Sequence, residues 1–217
     1  MAVSPDDTPT TTRPRLLIAT TNPHKLAEFA TLLLPAPFAL VDPRAIGLDL
    51  DVEESGTTFA ANAAIKALAW AQAGNMLALA DDSGLEIDAL NGAPGVYSAR
   101  WAGLDITYPE RCRILLDRLR DVPRERRTAR YRCALAVADS TRLRLRVDGV
   151  VEGLIANEPR GANGFGYDPI FEVPERGQTF GELGEEYKHT VSHRGRAVAA
   201  ALPGLRALAH SATGGAA

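Results

Sequence analysis

The sequence predicts an α/β fold, and three stretches carry that prediction. Leu16-Leu-Ile-Ala19 is a short apolar strand broken by Thr20-Thr-Asn-Pro-His24, after which Leu26, Phe29 and Leu33 recur at helical spacing. Met76-Leu-Ala-Leu-Ala80 is a second buried-strand pattern and runs directly into Asp81 and Asp82. Ala129, Tyr131, Cys133, Leu135 and Val137 alternate with Arg130, Arg132, Ala134 and Ala136, and Leu143, Leu145 and Val147 alternate with Arg142, Arg144 and Arg146. That period of two is a β-hairpin with one arginine-bearing face. At 217 residues the chain is long enough for one large domain or for two lobes sharing a core.

The opening strand, polar loop and helix place Thr20, Thr21, Asn22, Pro23, His24 and Lys25 at the carboxyl end of a strand, where open α/β sheets bind ligands. Backbone N–H groups at the helix start, with the Lys25 ammonium, suit a phosphate, although the glycines of a Walker loop are missing. Leu32 and Leu34 lie beside the apolar stripe, and Pro35 and Pro37 end the helix.

Asp49 to Gly56 is an acidic run leading to a helix that takes Thr57 or Thr58 as its N-cap and continues to Gly74. Such a run reads as a solvated loop, or as a source of one metal-ligating carboxylate, Glu53 or Glu54. The stretch Asp81-Asp82-Ser83-Gly84 reads as two carboxylates at a strand end followed by a turn and a second strand, Leu85-Glu-Ile87. Two aspartates packed together at low dielectric repel, so at least one requires a cation.

Leu90 to Trp101 is turn-rich and ends in an aromatic and basic cluster. Pro109 then opens a helix with Ile114, Leu115, Leu116 and Leu119 on its stripe, and Asp121 to Arg127 is a charged linker. The hairpin arginines lack the interleaved aromatics of a nucleic-acid platform, so a solvated or edge-protecting face is the better reading. Gly161, Gly164 and Gly166 allow a loop that presents Phe165, Tyr167 and Asp168 either to a planar base or to the core. Ser192 is a natural N-cap for a helix carrying Val198, Leu202 and Leu205 and broken near Pro203-Gly204. It puts His193 and Arg194 in a first turn, where cations oppose the helix dipole unless an anion or a carbonyl-rich base compensates.

Hydrophobic residues make up 46% and the net charge is −3, which points to no general nucleic-acid or membrane surface. Any anionic ligand must be held by local basic groups or a metal. Two unpaired cysteines, Cys112 and Cys133, suit a reducing cytosol as apolar filling, and no run approaches a membrane span. The expected organisation is a disordered extension over 1–14, one two-lobed domain over 15–210 and a flexible tail over 211–217.

Taken together, six stretches in order resemble the inosine triphosphate pyrophosphatase family, the non-canonical purine NTP pyrophosphatases. They are Ala19-Thr-Thr-Asn-Pro-His-Lys25 with Glu28; Glu53-Glu-Ser-Gly-Thr-Thr-Phe59 with Asn62 and Lys66; Ala80-Asp-Asp-Ser-Gly-Leu85; Gly92-Ala-Pro-Gly-Val-Tyr-Ser-Ala-Arg100; Gly164-Phe-Gly-Tyr-Asp-Pro169; and Lys188 with Ser192-His-Arg-Gly195. The resemblance implies an elongated α/β structure with a mixed central sheet flanked by helices, two lobes with an active-site cleft between them, and a homodimer. It implies hydrolysis of ITP, dITP and XTP to the monophosphate and pyrophosphate with Mg²⁺, removing deaminated purines before they enter DNA or RNA. A pyrophosphatase for pyrimidine or modified triphosphates, a nucleotide-binding protein without turnover, and an RNA-binding module using the arginine hairpin are the competing readings.

Carried over by position, Asp82 is the metal-linked proton acceptor and Glu53 the second magnesium ligand. Thr20 to Lys25 hold the triphosphate and Ser83 contacts the substrate. Phe165 stacks on the base, with Gly166, Tyr167 and Asp168 completing that wall. Lys188, His193 and Arg194 contact base and phosphates. One departure is Thr21, where the family usually has Gly, and a side chain there narrows the phosphate loop.

Overall fold

The computed structural model describes residues 13–214, and within them the apolar runs become the middle of one seven-stranded sheet. In chain order the strands are β1 (Arg15–Ile18), β2 (Ala39–Val41), β3 (Ala78–Ile87), β4 (Thr128–Ala138), β5 (Leu143–Ile155), β6 (Phe171–Val173) and β7 (Gln178–Thr179). The spatial order is β2-β1-β3-β4-β5-β6-β7. β1 is parallel to both β2 and β3, and every pairing from β3 to β7 is antiparallel, so the sheet is mixed. β5, with 13 residues at ~3.3 Å each, is on the order of 40 Å long, which draws the molecule out along the strands.

Among the described residues five α-helices flank the sheet: α1 (Pro23–Leu32), α2 (Phe59–Gly74), α3 (Tyr108–Arg118), α4 (Glu185–Val191) and α5 (His193–Gly214). On one face Phe29 and Leu33 from the α1 region meet Val198, Ala201 and Leu205 of α5 over Leu79, Leu135 and Val137. On the other, the small residues of α2 (Ala63, Ala67, Ala71) lie against Ala78, Ala80, Ala134 and Ala136, with Trp70 filling the remaining space. A third core at the far half of the long strands gathers Leu85, Ile87, Leu115, Tyr131, Phe171 and Phe180. Alternation along β3 explains the first two cores, since successive side chains leave a strand on opposite faces.

Four expectations need correction. Ser83-Gly84 is no turn: β3 runs without a break through Asp81 to Ile87, and all ten of its positions pair with β4. Gly84 is required for close approach, because a Cβ there would lie 2.5 Å from the Gly95 carbonyl oxygen and collide with Ser98 Oγ. Leu34, expected beside the apolar stripe of the helix, follows the helix end and is 74% exposed. Pro203 does not break α5; the removed hydrogen bond is offset by burial of Ala201, Leu205 and Ala209 along the same face. The same helix overrides the tail expected from Ser211, whose hydroxyl bonds back to the Ala207 carbonyl at 3.0 Å, and it continues to Gly214. Residues 1–12 and 215–217 lie outside the described residues, while the Pro14 carbonyl is already tied to the Ala39 N–H.

Other local readings hold. Thr58 caps α2 through a bond from the Ala61 N–H, and Asn75 closes that helix in the left-handed region. Thr107 and Glu110 form a capping box at α3, with Pro109 one position inside Tyr108. The hairpin arginines form a charge ladder: Arg130 lies in register between Glu86 on β3 and Glu152 on β5 and also pairs with Asp88. Arg132 pairs with Glu86 at 2.8 Å. Arg130 and Arg132 lie on β4, interior to the sheet, and neutralise carboxylates across strands. Arg144 and Arg146, by contrast, are exposed on the part of β5 that pairs with β4 alone, and Arg142 is exposed just before it.

Candidate active site

The carboxyl ends of β1 and the middle of β3 open into a cavity of about 650 Å³. Thr20, Thr21, Asn22, Lys25, Glu53, Glu54, Asp81, Asp82, Ser83, Phe165, Gly166, Tyr167, Asp168, Lys188, His193 and Arg194 all line it. Residues from both ends of the chain therefore meet at one place. Of the residues singled out from sequence, Pro23 and His24 are not in that wall; both are exposed at the start of α1.

α1 begins here because Asn22 accepts bonds from the His24 and Lys25 N–H groups at 2.9 and 3.3 Å, an N-cap that fixes the loop. Thr20 Oγ1 accepts from the Asn22 N–H at 3.2 Å. Part of the backbone expected to face an anion is thus engaged by the loop's own side chains, and the Lys25 ammonium is the positive group the loop contributes. Lys25 Nζ lies 3.0 Å from both carboxylate oxygens of Asp81.

Asp81 points to the α1 and α5 face, where Arg194 also reaches it at 3.1 Å. Burial by itself raises its carboxyl, but the charges of Lys25 and Arg194 overcome that and hold it well below the usual carboxylate range. Asp82 points to the α2 face. It accepts from Asn62 Nδ2 at 3.0 Å and lies 3.4 Å from Lys66 Nζ. Burial pushes its carboxyl above the usual range, Lys66 opposes that only in part, and the nearby Glu54 charge adds to it. The pair is therefore not a close, mutually repelling couple: the strand's period of two separates them, and each has its own cation.

The acidic run divides its labour. Glu54 bonds Lys66 at 2.5 Å and Arg100 at 3.1 Å. Burial raises its carboxyl, and Lys66 more than reverses that. Glu53 is exposed at the cavity wall and its carboxylate makes no ion pair with any described residue.

Arg194, 1% exposed, is held between Asp81, Glu28 of α1 at 2.5 Å and Ser83 Oγ at 2.9 Å. Ser192 caps α5 by accepting from the Gly195 N–H at 3.1 Å, as its position predicts. The expected conflict with the helix dipole is resolved twice over. Glu28 and Asp81 compensate Arg194, and His193 is not a cation: burial pushes its imidazole well below its usual range, Arg194 and Lys188 push it further, and the neutral ring stacks on Tyr131 at 4.6 Å. Its Nδ1 is buried without a partner among the described residues.

The glycine loop ends in a self-closing turn. Asp168 accepts from the Phe165 N–H at 2.8 Å and from Lys188 Nζ at 2.7 Å, and Gly164 at φ +73° leaves no room for a Cβ beside that carboxylate. Lys188 also bonds Glu28 at 2.8 Å. Tyr167 donates to the Ser98 carbonyl at 2.8 Å. The polar atoms of Tyr167 and Asp168 are thus engaged within the scaffold, and Phe165 is the residue presented, half-buried, with Lys188 and Arg194 over its ring at 5.1 and 5.8 Å.

Sequence reasoning assigned no role to Asn62, Lys66, Glu28, Arg100 or Tyr131. The signal for the first two is their i,i+4 spacing on one face of α2, and for Glu28 its i+3 spacing from Lys25. Nothing local marks Tyr131, which reads as an ordinary strand residue.

A chain model of the Ham1 family matches residues 16–203. A dITP/XTP pyrophosphatase of Desulforamulus reducens is 48% identical over 194 residues, covering 89% of this chain and 96% of that protein. One from Bacillus subtilis is 47% identical over 182 residues, covering 84% and 92%. Among solved structures, a HAM1 protein from Coxiella burnetii is 41% identical with a TM-score of 0.79, covering 88% of this chain and 97% of that one. The Ham1 protein of Staphylococcus aureus is 37% identical with a TM-score of 0.79, covering 89% and 99%. The resemblance carried by the six motifs is borne out across nearly the whole chain, in fold as in sequence, and the protein belongs to the Ham1 family.

Proposed function

We propose that the protein is a hydrolase that converts non-canonical purine nucleoside triphosphates (dITP, XTP and ITP) to the monophosphate and pyrophosphate. The observation that carries this reading is the arrangement around one cavity. A buried carboxylate with raised proton affinity, Asp82, shares the cavity with an N-capped helix start bearing Lys25 and with the presented aromatic ring of Phe165.

A triphosphate brings about four negative charges to carboxylates, which calls for a hard cation with oxygen ligands. The donor set fits Mg²⁺: Asp82 and Glu53 are carboxylates on the same cavity, and Glu53 is uncommitted. Mg²⁺ held by one or two carboxylates would complete its shell with water and substrate oxygens. Bound there, Mg²⁺ would neutralise charge on the phosphates. Asp82 orients the attacking water and takes its proton, a role favoured by a carboxyl whose affinity lies above the ordinary range. Asn62 and Lys66 hold that carboxylate in place. Lys25 and Lys66 supply fixed positive charge for the phosphates, and Phe165 carries the base between neutral His193 and charged Arg194 and Lys188. A neutral His193 can both donate to and accept from a 6-oxo purine edge, and an unpaired polar group on a 6-amino purine disfavours it by roughly 1–3 kcal/mol per mismatch.

The homodimer belongs to the same proposal; Tyr97 and Leu104, 58% and 81% exposed, offer apolar surface for it, and light scattering measures it. The test of the function is pyrophosphate release from ITP, dITP, XTP, ATP, dTTP and UTP with and without Mg²⁺. Release from the three 6-oxo purine substrates only with Mg²⁺ is the expected result. Equal turnover of ATP, or a preference for dTTP or UTP, overturns the substrate assignment.

A further inference from the structure

Phe165 is not free in this structure. The His24 imidazole is stacked on it with ring centroids 5.2 Å apart and planes 13° from parallel. The two residues come from elements 141 positions apart in sequence, α1 and the glycine loop, so the contact joins a residue outside the cavity wall to one that lines it. His24 is exposed and its ring stacks on Phe165, with no side-chain hydrogen bond or ion pair among the described residues, whereas its neighbours Asn22 and Lys25 are tied to the loop and to Asp81. A base cannot enter between the rings as they stand: two aromatic contacts at ~3.5 Å each require roughly 7 Å.

We propose that His24 is a gate residue for the base: in the ligand-free protein its imidazole occupies the face of Phe165 that a purine takes, and the purine displaces it. This rests on the reading of Phe165 as the base platform. The exchange replaces one stacked pair by another, so the gate lowers apparent affinity by the fraction of molecules in which it is open. It does not affect base-free anions, and among nucleotides it disfavours most those whose base stacks weakly. A stacked aromatic pair of ordinary strength corresponds to roughly a two- to tenfold shift in that fraction.

The test uses the full-length protein with inosine monophosphate, which presents the base without a phosphoanhydride to cleave, and inorganic triphosphate as the base-free arm. The His24 imidazole protons, assigned by their loss in His24→Asn, should lie upfield through the Phe165 ring current. They should move toward free-imidazole positions in Phe165→Leu and on saturation with inosine monophosphate, but not with inorganic triphosphate. His24→Ala should tighten inosine monophosphate binding roughly two- to tenfold and leave inorganic triphosphate binding unchanged, and His24→Phe should weaken the former. If the nucleotide binds while the His24 resonances stay in place, or if His24→Ala binds it no better, the gate is overturned, and weaker inosine monophosphate binding by Phe165→Leu then shows separately whether Phe165 is the platform. If inosine monophosphate binds neither wild type nor His24→Ala and ITP is not hydrolysed, the base-binding reading fails and the gate with it.

Discussion

Asp81 and Asp82 are adjacent on one strand, yet they face opposite sides of the sheet and their proton affinities move in opposite directions. Asp81 meets Lys25 and Arg194 on the side of α1 and α5; Asp82 meets Asn62 and Lys66 on the side of α2. One is a structural anion that anchors two helices, and the other is the carboxylate available to chemistry.

Asp82→Asn should lower kcat by roughly 10²–10⁴-fold, the usual contribution of a positioned base, with pyrophosphate release as the measurement. Its stability should not fall. A carboxyl whose affinity is raised in the folded state opposes folding wherever it is ionised, and that penalty disappears only below the unfolded value near ~3.9. The amide should therefore be as stable as wild type at pH 7 or more so. A loss of both activity and folding would make Asp82 a structural residue.

The neighbours of Asp82 should tune it with opposite signs. Lys66→Met removes the charge that holds the carboxyl down, so its titration should move to higher pH; Glu54→Gln removes a charge that pushes it up, so its titration should move lower. Carboxyl carbon NMR in magnesium-free buffer reads both. Shifts in the same direction contradict the proposed balance.

Asp81→Asn should destabilise the fold by about 3 kcal/mol, since breaking one side of a buried ion pair leaves Arg194 and Lys25 partly uncompensated. The sign of the pH dependence follows from the depressed carboxyl. Its stabilisation is complete above the unfolded value near ~3.9 and is lost as pH falls toward the lower folded value. Urea unfolding at pH 7 should separate wild type from variant, and the gap should narrow steadily below about pH 4.

Gly84→Ala should be more damaging than its single methyl suggests. The added carbon meets the Gly95 carbonyl at 2.5 Å, backbone that cannot rotate away, and overpacking of this kind costs about 1–3 kcal/mol. Because β3 must shift to relieve it, kcat should fall along with thermal stability. Unchanged turnover in a destabilised variant would show that the strand absorbs the clash away from Asp82 and Ser83.

Phe165→Ala should raise KM for ITP by about 5- to 100-fold if base stacking is worth ~1–3 kcal/mol, with a smaller effect on kcat. Steady-state kinetics decides this, and an unchanged KM would move the base platform elsewhere in the cavity.

What the sequence determines by itself is local. Periodicity places the strands and helices, cap chemistry places the start of α2 at Thr57 or Thr58 and of α5 at Ser192, and the strand–loop–helix opening places a ligand loop at the carboxyl end of a strand. The motifs bring Asp82, Lys25, Phe165, Lys188 and Arg194 into one family pattern before any contact is known. What only the tertiary structure decides is which groups compensate one another. β3 is one strand because β4 pairs with all of it, and that continuity sends Asp81 and Asp82 to opposite faces. His193 is neutral because it is buried beside Arg194 and Lys188, and Arg194 stays charged because Glu28 and Asp81, 166 and 113 positions away, converge on it. Charge state and contact depend on burial and on partners distant in sequence, and neither is encoded in a residue's immediate neighbours.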